Sequence, residues 1–324
     1  MTKIAAIAIG RNEGARLIAC LESLSGAVAR VIYVDSASTD NSVAEAEARG
    51  ASVVKLDTSV PFTAARARNA GLALIADTAA RDSSALPDFV QVLDGDCTLQ
   101  DGWIDQAAAF LEAHPTIAVV CGRRRERFPD ASIWNRLIDA EWETPIGEAK
   151  ACGGDALMRW SAVQEIGGYR DDLIAGEEPE LCVRLRTRGW KIWRLDADMT
   201  LHDAAMTRFG QWWRRVKRGG HAFAEGAALH GAPPERHYVY ETRRAILWGG
   251  VLPALTVASV FVSPWISLAL LLIWPLQVLR LRLRGQDLLQ ASFLTLGKFP
   301  EAEGVLLYHW KRWRGLKTKL IEYK

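Results

Sequence analysis

The chain has 324 residues, 49% of them apolar and 24% charged, with a net charge of +2 at pH 7. That apolar share is enough for one large domain, or one with an appendage, and excludes a disordered chain. The near balance of charge excludes a general nucleic-acid binder, so no nucleic-acid partner is expected.

The N-terminus, MTKIAAIAIGRNEG, holds one lysine and a short apolar run before Arg11-Asn12-Glu13. The run is too short and wrongly flanked for a signal peptide, so the bulk of the chain is expected in the cytosol. Cys20, Cys97, Cys121, Cys152 and Cys182 are odd in number and lack metal-ligand spacing. They read as free thiols of a reducing compartment. Short β-branched runs follow at IAAIAI (4–9), RVIYVD (30–35), SVVKLD (52–57), FVQVLD (89–94) and IAVVCG (117–122). Helix-like stretches such as NEGARLIACLESL and FTAARARNAGLALIAD lie between them. This alternation predicts an α/β fold with a mainly parallel sheet and helices on both faces. Ligands of such sheets bind at the carboxyl ends of the strands, where Asp35 and Asp94 fall.

Asp94 and Asp96 stand one residue apart at the end of an apolar run. Two such carboxylates suit a hard cation, Mg²⁺ or Mn²⁺, which takes one or two protein carboxylates and fills its shell with phosphate and water. On a strand tip both would face the same way. A polar Asp-Gly-Asp turn is the competing reading.

Other segments add context. VDSASTDNS (34–42), ARARNAGL (65–72, with Arg68-Asn69 and Gly71), LDGDC (93–97), GGYRDDLIAGEEPELCVRLRTRGWKI (167–192) and LHD (201–203) occur in that order. The ordered set resembles family 2 glycosyltransferases, of the bacterial exopolysaccharide type, over roughly residues 1–230. It matches the strand-end acid, R-N-x-G, D-x-D and G-G-[FY]…[ED]-D-x-x-L-x-x-R motifs and a late histidine. Ser36 departs from a frequent second Asp. The resemblance implies a GT-A fold: a nucleotide-binding half over 1–122 and an acceptor half over 123–242. It implies transfer of a sugar, with inversion, from a nucleotide diphosphate, a UDP-sugar first. By the same resemblance Asp96 would hold the metal, Asp94 the ribose or metal, Asp35 the nucleoside, and Arg68 the base or diphosphate. His202 would be a further metal ligand or a surface histidine after a strand. Asp155 of ACGGDALMRW would lie on the acceptor side.

An inverting displacement needs a base for the attacking hydroxyl. GEEPEL offers Glu177, Glu178 and Glu180, and Pro179 suits a first helical turn, so a helix is expected to begin near Glu177. Motif register selects Glu178, where the family usually has Asp, with Glu177 second. The helix N-terminus would favour the anion, giving a base already ionised at pH 7. First-turn acids also simply stabilise helices.

QWWRR (211–215) resembles the Q-x-x-R-W of processive members but ends in Arg215, which argues against processive extension. Trp212, Trp213 and Arg214 would hold an acceptor, or form a helix face at headgroup level. From Ala245 to Leu279 no residue is charged, and Arg243-Arg244 and Arg280, Arg282 and Arg284 flank the run. That predicts a membrane hairpin over 243–284, turning near Ser263-Pro264, with both ends cytoplasmic. Segment 280–324 holds ten Lys or Arg against four Asp or Glu, a net +6, and its tail is expected on an anionic leaflet.

Taken together, the chain reads as a metal-dependent glycosyltransferase, a hexosyltransferase by class, at the inner membrane with its catalytic part in the cytosol. A glycan or lipid-linked acceptor and membrane lipids are its expected partners. The competing readings are a nucleotidyltransferase, for which GRNEGAR lacks the lysine of a Gly-rich loop, and a non-catalytic membrane-bound subunit.

Overall fold

The computed structural model describes residues 2–316 and Ile321. It divides into two units, Met1–Ala205 and Met206–Lys324. The break falls well before residue 242, because the QWWRR segment opens a long helix that packs with the C-terminal helices.

In the first unit β1 (Ile4–Gly10), α1 (Ala15–Leu24), β2 (Arg30–Asp35), α2 (Ser42–Ala48) and β3 (Ser52–Lys55) alternate, as expected. Then come α3 (Ala64–Arg81), β4 (Phe89–Asp94), β5 (Cys97–Leu99), α4 (Trp103–Ala113) and β6 (Ile117–Glu126). The rest is α5 (Ile133–Glu141), β7 (Gly147–Ala149), β8 (Ala156–Arg159), α6 (Trp160–Glu165), α7 (Glu177–Thr187) and β9 (Lys191–His202). The strands form one sheet in the order β3-β2-β1-β4-β8-β6-β9-β5, with β7 also on β9. β3, β2, β1 and β4 are mutually parallel, and β8 joins β4 antiparallel. Helices cover both faces, so β1 is apolar and buried nearly throughout instead of alternating. α1 buries Leu17, Cys20, Leu21 and Leu24, the spacing of a single helical stripe.

This topology places the acids. β1 lies between β2 and β4, with Gly10 beside Asp35 and Ile9 beside Asp94. The two acids thus stand at the same sheet edge, two strands apart, or about 10 Å at the usual strand spacing.

The second unit is helical: α8 (Phe209–His230), α9 (Val239–Ile246), a π-helical turn at Leu247–Val251, and α10 (Leu252–Ser259). α11 (Pro264–Leu271), α12 (Ile273–Leu283), α13 (Leu288–Leu296) and α14 (Lys298–Trp313) follow. Ala224, Ala245 and Val305 form a small core there. The chain turns between Ser259 and Pro264, as expected. Of the basic tail, 317–320 and 322–324 lie outside the described residues.

Candidate active site

Arg68 is the hub. It sits on the first turns of α3, whose N-cap Thr63 accepts from the Arg66 N–H. Although only 1% exposed, its guanidinium is well paired. Nη1 meets Glu178 Oε1 at 2.7 Å and Glu177 Oε1 at 3.0 Å. Nη2 meets Asp94 Oδ1 at 2.9 Å, and Tyr169 lies under the guanidinium at 5.6 Å. The neighbours of Arg68 in the motif hold this geometry. The Asn69 side chain exchanges hydrogen bonds with the backbone of Tyr169, 2.8 Å each way. Gly71 lets α3 press on β1, since a Cβ there would fall 2.6 Å from Ile7. The loop that carries Tyr169 turns at Gly168, φ +73°, a left-handed conformation. Arg184 clamps that loop from α7 through the carbonyls of Ile166 and Gly168, and is itself paired with Glu180.

The second oxygen of Asp94 meets Arg124 Nη2 at 3.0 Å. Burial alone would raise the Asp94 pKa, but Arg68 and Arg124 outweigh it and hold the carboxyl well below the usual range. Arg124 extends the pairing to Asp155, with Nε at 2.8 Å and Nη2 at 2.9 Å. Asp155 also accepts from Thr200 Oγ1 at 2.6 Å and from the Asp94 N–H at 3.2 Å. This corrects the acceptor-side reading of Asp155: it is a buried clamp with its oxygens fully engaged, and it positions Asp94.

Asp94 and Asp96 do not face the same way. The chain turns at Gly95-Asp96 into β5, which pairs antiparallel with β9. Asp94 therefore faces the arginines, and Asp96 faces His202. His202 is buried and not a surface residue. Its Nε2 lies 3.4 Å from Asp96 Oδ2, its Nδ1 3.5 Å from Glu126 Oε2, and its ring packs edge-on against Trp142. Burial, helped by Arg124, lowers the His202 pKa against the pull of Glu126, so the imidazole is neutral and able to ligate. Asp96, Cys97 and His202 offer ligand atoms within 4.8 Å of one another, as do Asp94, Cys97 and Asp155. In the second group the Arg124 guanidinium already stands among the acids, 3.0 Å from Cys97 Sγ. Burial keeps the Cys97 thiol neutral. The first group therefore fits a hard cation better: a carboxylate and an imidazole whose far nitrogen is turned toward a carboxylate.

Asp35 is buried at the end of β2. Its oxygens accept from the Tyr33 hydroxyl at 3.1 Å and the Ser38 N–H at 3.0 Å, so it also orders the turn it opens. α7 does begin at Glu177, but Glu178 is not a ready anion. Burial first, and Glu177 second, raise its pKa to about 7. A helix N-terminus contributes about 0.3–1 kcal/mol, too little against desolvation.

Arg124, Glu126 and Thr200 were not foreseen. Register brings them in: β6 runs beside β9 with Arg124 opposite Thr200 and Glu126 opposite His202. A faint signal existed in RRRERF, where Arg124 and Glu126 share the strand's period of two. Trp212, Trp213 and Arg214 belong to the second unit. Trp212 is buried edge-on against Phe293 at 5.0 Å, which covers the ring expected to stack on a sugar. The Trp213 indole N–H donates to Glu303 at 2.8 Å, and Arg214 is exposed.

Residues 7–160 match the family model for glycosyl transferase family 2. That span carries Asp35, Arg68, Asp94, Asp96 and Asp155. A pre-mycofactocin glycosyltransferase of Mycobacterium tuberculosis is 26% identical over 207 residues, 60% of this chain and 40% of the relative. The chain thus spans about two fifths of the length of that relative. An uncharacterised glycosyltransferase of Rickettsia felis is 48% identical over 54 residues, 17% of this chain and 19% of the relative. Among solved structures, a mannosyltransferase of Pyrobaculum calidifontis, in complex with GDP-Man and Mn²⁺, aligns with a TM-score of 0.64 at 18% identity. The alignment covers 96% of this chain and 88% of that one, and the fold is therefore GT-A. With its motifs in family order, its acids at the strand ends of a GT-A fold and the family match running from β1 through β8, residues 7–160 form a glycosyltransferase family 2 domain.

Proposed function

We propose that the chain transfers a sugar, with inversion, from a nucleotide diphosphate to a hydroxyl of a glycan or lipid-linked acceptor. The observation that carries this reading is the ion-paired series Glu178, Arg68, Asp94 and Arg124, buried at Glu178 and Arg68 and opening to solvent at Asp94, at the carboxyl end of β4. Glu178, near pKa 7, is poised to take the proton of the attacking hydroxyl at Oε, since a base works best with a pKa near the operating pH. Arg68 holds Glu178 in place and offers positive charge to the departing diphosphate. Asp35 receives the nucleoside at the end of β2. Asp96 and His202 would hold Mg²⁺ or Mn²⁺, with Glu126 orienting the imidazole. A cation there supplies Lewis-acid neutralisation of the leaving diphosphate. The mannosyltransferase and mycobacterial relatives support sugar transfer, and a UDP-sugar in cell-surface or exopolysaccharide synthesis is the reading we favour.

The test is thermal stabilisation by UDP, GDP and their sugars with and without Mn²⁺, followed by transfer from the donor that binds. A ligand of the native state alone raises stability by RT ln(1 + [L]/Kd), or about 2.7 kcal/mol at a hundredfold excess over Kd. Metal-dependent stabilisation and sugar transfer are expected. If no nucleotide stabilises the chain with or without Mn²⁺, and none is turned over, the proposal fails.

A further inference from the structure

The second unit carries an apolar hairpin whose tip is exposed among the described residues. Phe261 is 88% exposed, Val262 79% and Trp265 77%, and exposed Leu255, Val257, Val260, Leu268 and Leu271 continue down both arms. A contiguous apolar surface of this kind marks an interaction site. From the geometry we infer that the hairpin enters one leaflet of an anionic membrane and does not cross it.

Both arms leave the helical unit at one level. On the first, Gly249 packs so closely on the Lys298 carbonyl that a Cβ would collide with it. On the second, Trp274 stacks on Phe299, the next residue of α14, at 6.0 Å. Val251–Val260 on one side and Pro264–Ile273 on the other are free, about 15 Å each at helical rise. A bilayer core is about 30 Å thick. The helical run Pro264–Leu283, with 20 residues and a mean hydropathy of 1.6, is long enough by itself to cross. Its second half begins with Trp274 stacked on Phe299 and ends in the charged Arg280 and Arg282.

The donors of the tip are satisfied within it, which lowers the cost of entering hydrocarbon, where an unpaired polar group is expensive. The amides of Val260, Phe261, Val262 and Ser263 all donate to carbonyls of Val257, Ala258 and Ser259. The hydroxyls of Ser259 and Ser267 pair with each other across the turn at 2.8 Å. Exposed Arg243, Arg280, Arg282 and Arg284 lie beyond the free arms in sequence and complement anionic headgroups, at about 1 kcal/mol each near such a surface. They favour the inner leaflet of the plasma membrane, with the first unit in the cytosol.

The experiment is Val262→Cys in the full-length chain, probed with a membrane-impermeant maleimide in sealed vesicles of either orientation. The native cysteines are buried and give little background. We expect the protein to stay with membranes through salt and alkali, and Cys at 262 to label from neither side until detergent is added. Labelling from the far side shows a span and overturns the inference. Labelling from the cytosolic side, or recovery in the soluble fraction, shows no insertion and overturns it equally. A Phe261→Glu/Val262→Glu variant is expected to lose binding to phosphatidylcholine vesicles containing phosphatidylglycerol while retaining nucleotide binding. Unchanged vesicle binding in that variant refutes insertion at the tip.

Discussion

Replacing Glu178 by Gln is expected to send stability and activity in opposite directions. In the folded chain, burial and then Glu177 raise this carboxyl from its ordinary 4.5 to about 7. Between those values the folded state keeps a proton that the unfolded state has released. The resulting stability is complete below pH 4.5 and is lost as pH rises through 7. At about 1.4 kcal/mol per pH unit, the wild type forgoes about 3 kcal/mol at pH 8. Glu178→Gln removes that cost. It also takes one acid from Arg68, which keeps Asp94 and Glu177, so a net gain of about 1–3 kcal/mol is expected at pH 8. Urea denaturation at pH 5 and pH 8 measures it: the wild type weakens as pH rises, and the variant does so less. Turnover at pH 8 should fall about 10²–10⁴-fold, while donor binding survives. A wild type equally stable at both pH values, or a variant transferring sugar at the wild-type rate, refutes the reasoning. Loss of turnover in Glu177→Gln alone would move the base to Glu177.

Glu126→Gln should weaken Mn²⁺ binding about 10–100-fold, by removing the partner that orients His202, and leave metal-free nucleotide binding intact. Calorimetry of UDP with and without Mn²⁺ reads both, and unchanged Mn²⁺ affinity would remove the metal from this site. Asp96→Asn should weaken metal-dependent nucleotide binding more than Glu126→Gln does, and equal affinity to wild type would sink the ligand assignment. Arg124→Leu leaves Asp155 buried without its cation and should cost about 3–5 kcal/mol by denaturant titration. A cost near zero would show that Arg124 is no clamp.

The fold was legible because its signals are local. The strands at 4–10, 30–35 and 89–94 announce themselves by short apolar runs, and their alternation with helices implies the parallel order. Short motifs singled out Arg68, Asp94, Glu178 and His202 as candidates for the same reason. What the sequence hides is pairing between distant segments. Arg124 meets Thr200, and Glu126 meets His202, only because β6 and β9 adopt one register, and no residue spacing encodes that register. The orientation of Asp96 was hidden by a turn: a continued strand would aim it with Asp94, whereas the antiparallel return of β5 aims it at His202. Asp155 misled for a related reason. Its neighbours in sequence are glycines, but its neighbours in space are Arg124 and Thr200.

The charge count of the site explains why its acids behave so differently. Asp94, Asp155, Glu177 and Glu178 share two guanidinium groups, Arg68 and Arg124, a surplus of two negative charges if all four ionise. Burial makes that surplus expensive, and a proton is retained on Glu178, where burial and the neighbouring Glu177 both disfavour the anion. Asp94 touches both arginines and is held ionised. Glu178 has Arg68, which it shares with Asp94 and Glu177, and its pKa rises to about 7. One environment thus pushes two carboxyls apart, and that separation supports the roles proposed for them. The acid pulled down is a fixed anion suited to binding. The acid pushed up can gain and lose a proton at neutral pH, which is what a base in transfer to a hydroxyl must do.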